Sequence, residues 1–197
     1  MAQTELDAVN MLLNAIGTAS VPVLTTAPDV KAATKKLAQT SKDIQSVGWY
    51  FNTEDFYYSL DVDGKQALPD NALKVDTGVN TLVKRGGYLY DKISHSNVLT
   101  GSGYDFTNRY YRMVLMLDYA DLPATAYAYI VASAKKLFVI EFEGDYQKAA
   151  TIEAERMQAL TELQKEQLDT TETGYLTNPQ TMRLFNMLPG VFRGAYS

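Results

Sequence analysis

The hydrophobic period of this chain changes twice along its length. Apolar residues recur at helical spacing up to Gly48 and give way from Trp49 to Leu117 to short, Tyr- and Val-rich runs broken by turn residues. Helical spacing returns after Asp118. The flanking helices have one-sided apolar stripes and are unstable alone, so they must bury those stripes against one another. That is possible only if the middle of the chain is looped out between them. The expected fold class is α+β, a four-helix bundle with an inserted antiparallel β domain and an extended C-terminal tail. The expected boundaries are residues 1–48 and 118–169 for the bundle, 49–117 for the β insertion, and 170–197 for a linker and docking tail.

Local signals refine this plan. Thr4 and Asp7 have capping-box spacing, Leu6, Val9, Leu13 and Ile16 follow with Leu12 beside them, and Gly17 is a suitable stop. A second helix is predicted from about Asp29 to Gly48, with Val30, Ala33, Leu37, Ile44 and Val47 as its stripe. Asp63-Gly64 reads as a tight hairpin turn. Arg85-Gly86-Gly87-Tyr88 reads as a turn or bulge that aims Tyr88 and Tyr90. Asp121 is the expected N-cap of the third helix, with Pro123 in its first turn. Gly144 and Asp145 separate that helix from a polar last helix, predicted over Tyr146 to Leu168.

Composition removes several classes of function. The 197 residues include no cysteine, which excludes disulfides, thiolate zinc sites and cysteine nucleophiles and suits assembly in a reducing cytosol. No apolar run approaches the ~20 residues of a membrane span. The first residues carry Glu5 and Asp7 without Lys or Arg, the wrong chemistry for a signal peptide. A net charge of -5 argues against general attraction to nucleic acid or anionic lipid.

Catalytic and metal motifs fail when tested residue by residue, so no catalytic residue, cofactor or metal is assigned. His95 is the only histidine and is read as a solvent-facing strand or loop residue. Asp61-Val62-Asp63-Gly64 opens like a calcium loop, but Lys65 and Gln66 stand where oxygen and glycine are needed. Glu141 and Glu143 diverge by about 200° on a helix. Asp61 with Asp63 sits on a turn, and Asp118 with Asp121 surrounds a helix cap. The doublets Lys35-Lys36 and Lys135-Lys136 read as solvated helix faces, open to DNA or an acidic partner but without interleaved stacking aromatics. A carboxylate-based carbohydrate hydrolase is the competing enzyme reading, and a connector built on a similar helical bundle the competing structural one.

The 14 tyrosines are the unusual entry in the composition, since tyrosine suits surfaces that are wet alone and dry in a complex. The residues RLFNMLPGVFRGAYS form an apolar end after a polar linker, a segment that docks on its own core or on a partner.

Four segments resemble the tail tubular protein A family of short-tailed, podovirus-type phages. They are AVNMLLNAIGTASV (Ala8 to Val21), IQSVGWYFNTE (Ile44 to Glu54), KRGGYLYD (Lys84 to Asp91) and DYADLPATAYAYIVASAKKLF (Asp118 to Phe138). Their order and spacing match over Thr4 to Gly144. The resemblance implies a non-enzymatic virion protein of the tail, a twelve-subunit adaptor ring between the portal protein and the tail nozzle (tail tubular protein B). The tail fibre is a further candidate partner. DNA would pass through the ring's channel during ejection without specific binding. Under this reading the candidate partner contacts are Tyr57, Tyr58, Arg85, Tyr88, Tyr90, Tyr110 and Tyr111 in the insertion, with Tyr50 at its start. Phe185, Phe192, Arg193 and Tyr196 are the candidates in the tail, ordering against the portal.

Overall fold

A computed structural model describes residues 3–101, 103–106 and 109–175, with side chains through residue 170. Among these residues the elements are α1 (Glu5–Ala15), α2 (Pro28–Gln45), β1 (Thr53–Tyr57), β2 (Ala72–Asp76), β3 (Leu82–Arg85), β4 (Tyr88–Asp91), β5 (Tyr110–Leu115), α3 (Ala124–Glu143) and α4 (Tyr146–Tyr175). The fold is the expected α+β arrangement of helices and antiparallel sheets.

Helix α2 ends at Gln45, so Val47, expected in its apolar stripe, lies beyond the helix and is 66% exposed. The other helix ends follow their local chemistry, with two differences from the sequence reading. Thr4 caps α1 by accepting the Asp7 N–H at 3.1 Å and donating its hydroxyl to the Asp7 carboxylate at 2.6 Å. Gly17, at φ 75°, lets the Thr18 N–H reach the Leu13 carbonyl and close the helix. Asp145 caps α4 through the Lys148 N–H at 2.9 Å. The first difference is at α3. Asp121 does not cap it, because residues Tyr119–Asp121 are taken up by a short 3-10 turn and the helix begins after Pro123. The second is at α4, which continues to Tyr175 rather than stopping near Leu168. Thr170, Thr171, Glu172 and Thr173 are tolerated by propensity, and only Gly174, one residue from the end, works against the helix.

The core lies in two parts. In the bundle, Val9, Leu12 and Leu13 of α1 pack with Val30, Ala33 and Leu37 of α2 and Ile130, Val131, Ala134 and Phe138 of α3. Helix α3 is buried on nearly every side, while α4 closes onto it through Ala149, Ile152, Ala159 and Leu163. In the insertion, Leu68, Ala72, Leu82, Leu89, Leu99, Tyr111, Met113 and Leu115 form a second core. Leu117 packs against both.

The insertion contains an antiparallel sheet of order β1-β5-β2 and the hairpin β3-β4. Gly86 and Gly87, at φ 57° and 72°, supply the two left-handed residues of the hairpin turn. Asp63-Gly64 also turns the chain, with the Asp61 carboxylate accepting the N–H groups of Asp63 and Lys65. That segment then bridges to Val98 instead of leading a ladder-paired hairpin.

Where the chain leaves and re-enters the bundle, a buried polar clamp joins the two bodies. The Gln45 amide donates to the Ser41 hydroxyl at 3.0 Å and the Leu117 carbonyl at 3.1 Å, and accepts the Leu117 N–H at 2.8 Å. The Asn52 amide donates to the Gln45 carbonyl at 2.9 Å and the Leu115 carbonyl at 2.8 Å, and accepts the Trp49 N–H at 2.9 Å. Both side chains are fully buried. Each polar atom finds a partner, so the clamp holds its geometry without an unsatisfied group. Helix α4 adds a brace. Gln167 accepts the Tyr50 N–H at 2.8 Å, and Glu166 receives hydrogen bonds from the Thr125 and Tyr50 hydroxyls. Burial first, and then Glu166, push the Tyr50 phenol above its usual range.

Candidate partner interface

Strand alternation sorts the side chains of the three-stranded sheet onto two faces. Phe56, Tyr111, Met113, Leu115 and Val75 point into the insertion core. The opposite face carries Tyr57 beside Tyr110, then Asp55, Arg112 and Asp76 in one row, then Thr53, Val114 and Lys74. Tyr57 is 72% exposed and Tyr110 60%, so this paired aromatic end is open to solvent. The Arg112 guanidinium donates to both carboxylate oxygens of Asp55, at 2.9 and 3.5 Å. That hydrogen bond, then the charge of Asp55, raises the Arg112 pKa further.

The end of this face nearest the bundle is covered. Gly48, at φ 87°, brings the backbone over Val114, and a side chain there would meet Val114 Cγ2 at 3.0 Å. Beside it lies a groove of about 220 Å³ lined by Val47, Thr53, Lys74, Asp76 and Arg112. Thr53 Oγ1 is buried there with no hydrogen-bond partner among the described residues.

A second surface lies on the hairpin. Residues Leu82, Leu89 and Asp91 face inward, leaving Val83, Arg85, Tyr88 and Tyr90 on the other side. The Arg85 guanidinium sits 3.7 Å from the Tyr90 ring centre, a cation–π contact that presents both groups together. Asp91 fixes the following turn. Its buried carboxylate accepts the Ile93 N–H at 3.0 Å and the Ser94 N–H and hydroxyl, and the Ile93 bond foremost holds it below the usual carboxylate range. His95 lies in this turn, exposed, at φ 53°.

The model of the tail tubular protein family matches residues 6–174, nearly the whole chain. This chain belongs to that family. It is also similar to tail tubular protein A of Klebsiella phage KP34, 28% identical over 185 residues that cover 87% of this chain and 93% of that protein. A tail tubular protein is a structural component of a phage tail, as the four segments quoted from the sequence had implied.

Within this tail tubular protein the tyrosines divide into two groups, and the sequence reading had merged them. Tyr111 is 3% exposed and packs against Tyr58 with ring centres 4.8 Å apart, while Tyr58 meets Phe106 at 4.6 Å. Both side chains belong to the insertion core, and burial raises both phenol pKa values. Tyr111 therefore offers no partner surface, and most of Tyr58 is spent inside. Tyr57 and Tyr110 come together on the sheet face, and Tyr88 and Tyr90 come together with Arg85 on the hairpin. Phe185, Phe192, Arg193 and Tyr196 lie outside the described residues.

The sequence reading missed the polar row Asp55–Arg112–Asp76 and the clamp residues Gln45 and Asn52. The row was visible in principle, because alternation in TEDFY and YYRMVL puts Asp55 with Tyr57 and Arg112 with Tyr110. The clamp sat inside the IQSVGWYFN stretch that carried the resemblance, with nothing local to distinguish a buried amide from a solvated one.

The carboxylates once weighed for catalysis have other occupations. Glu141 pairs with Lys36, Glu143 with Lys148 at 3.2 Å, and Asp63 with Lys65 at 3.4 Å. Among the described residues no group of three or more His, Cys, Asp or Glu could hold a metal ion, and no helix is long and apolar enough to cross a membrane.

Proposed function

We propose that this tail tubular protein is the tail adaptor, a closed ring between the portal protein and the tail nozzle whose bore forms part of the DNA ejection channel. In this reading the protein positions other proteins and catalyses nothing. The observation that carries it is the buried clamp of Gln45 and Asn52. A passive connector must hold surfaces for different partners at a set mutual orientation, and a fully satisfied buried amide network removes the hinge that a looped-out domain would otherwise have. The open sheet face with Tyr57 and Tyr110, and the hairpin face with Arg85, Tyr88 and Tyr90, are flat aromatic and polar surfaces of the kind that proteins use for recognition. The ring number of twelve and the tail fibre as a further partner come from the family resemblance.

The test is direct. The purified chain is mixed with its portal and nozzle proteins and imaged in negative stain. A ring seated on the portal, with the nozzle added only when the ring is present, is the expected result. A nozzle that joins the portal equally well without this chain would sink the proposal.

A further inference from the structure

The acidic and basic side chains of this protein are unevenly placed. Residues 118–169, which contain α3 and α4, carry ten acidic and five basic side chains. Helix α2 instead carries four lysines, and among the described residues only Lys36 is paired, with Glu141 of α3. Lys31, Lys35 and Lys42 are exposed and have no ion pair among the described residues. Their spacings of four and seven residues place them on one side of the helix, away from the buried Val30, Ala33 and Leu37. Helix α4 carries an acidic row with one lysine, Lys165, beside it. Glu155, Glu162 and Asp169 recur every seven residues, all exposed and off the Ala149, Ile152, Ala159 and Leu163 stripe that faces α3. Seven residues make nearly two turns and rise about 10 Å, so the Lys35 to Lys42 step and the Glu155 to Glu162 step have equal length.

Helix α3 packs against both α2 and α4, so the two rows lie on separate helices joined through α3. Rows of opposite charge that share one seven-residue step, Lys35 to Lys42 and Glu162 to Asp169, on different helices suit a contact between different surfaces of identical subunits, the kind that closes into a ring. We propose that the Lys31–Lys35–Lys42 edge of α2 docks on the Glu155–Glu162–Asp169 edge of α4 in a second copy of this chain. This rests on the ring reading above and names the surfaces that would build it. The charges would set register and speed encounter more than they set affinity.

The experiment uses the full chain, alone and with its portal protein, in sedimentation velocity at low and high salt. Circular dichroism confirms folding, and a labelled DNA duplex is titrated in parallel. Lys31→Glu/Lys35→Glu/Lys42→Glu and, separately, Glu162→Lys/Asp169→Lys should each weaken self-association on the order of tenfold. Glu155 is left alone because it also holds Lys135. The chain carrying all five changes should recover assembly. If the triple reversal unfolds the subunit, Lys31→Gln/Lys35→Gln/Lys42→Gln should weaken association in the same direction. Assembly that ignores the reversals, or that the combined variant does not restore, overturns the pairing while leaving the ring intact. Loss of duplex binding with unchanged assembly also overturns it and assigns the lysines to DNA. A wild-type chain that never self-associates, even on the portal, defeats the ring and this interface together.

Discussion

At the scale of single residues, the structure separates side chains that hold the subunit together from those available to others. Asn52 satisfies two buried carbonyls and one N–H. Asn52→Ala strands these groups and should cost about 2–3 kcal/mol in urea unfolding. A loss below half a kilocalorie would mean that water replaces the amide. The tyrosines allow a sharper contrast. Tyr111→Ala removes a ring from the insertion core and should cost about 3–5 kcal/mol. Tyr57→Ala, on the open face, should stay within about 0.5 kcal/mol. Equal effects in the same unfolding assay would show that the two faces of the sheet had been assigned wrongly.

At the scale of elements, the α3–α4 pair shows how a polar helix is held on an apolar one. Its apolar contact is narrow, and Lys136 and Arg156 both reach Glu153, at 3.0 and 2.7 Å. The Arg156 hydrogen bond first, then that of Lys136, lowers the Glu153 pKa from its ordinary 4.5 to about 2. A depressed carboxylate contributes its stability above the unfolded value and loses it as pH falls through the folded one. The contribution is therefore expected to disappear between pH 4.5 and about 2. Glu153→Gln should flatten the fall of melting temperature with pH in that window, and a slope equal to that of the wild type would remove Glu153 from the account.

At the scale of the whole molecule, two cores share one side chain and one clamp. Leu117 packs into both, and Gln45 and Asn52 tie the strand that returns from the insertion to the helix that precedes it. The wild type should unfold in a single calorimetric transition, with van't Hoff and calorimetric enthalpies equal. Asn52→Ala should split this into two, the insertion separating from the bundle. Two transitions already present in the wild type would show that the clamp does not couple the bodies. The terminal segment belongs to this scale too. Under the adaptor proposal, truncation after Leu176 should leave the melting temperature of the subunit unchanged and weaken capture by the portal in a pull-down, whereas unimpaired capture would exclude the tail from docking.

Period and punctuation by themselves determined the α+β class, the looped-out middle, the Thr4 cap, the Gly17 stop and the turn at Gly86-Gly87. Each of these depends on residues a few positions apart, where spacing in sequence is spacing in space. The four motif segments likewise determined the family, because short patterns in fixed order survive where overall identity falls. Only the tertiary structure decided that Tyr111 is buried and Tyr110 exposed, that Asn52 bonds across the junction to Leu115, and that the edges of α2 and α4 carry opposite charge. A tyrosine can serve either side of a strand at nearly equal local energy, and a buried amide looks in sequence like a solvated one. What distinguishes them is which distant segment packs against them, and that contact exists only once the chain has folded.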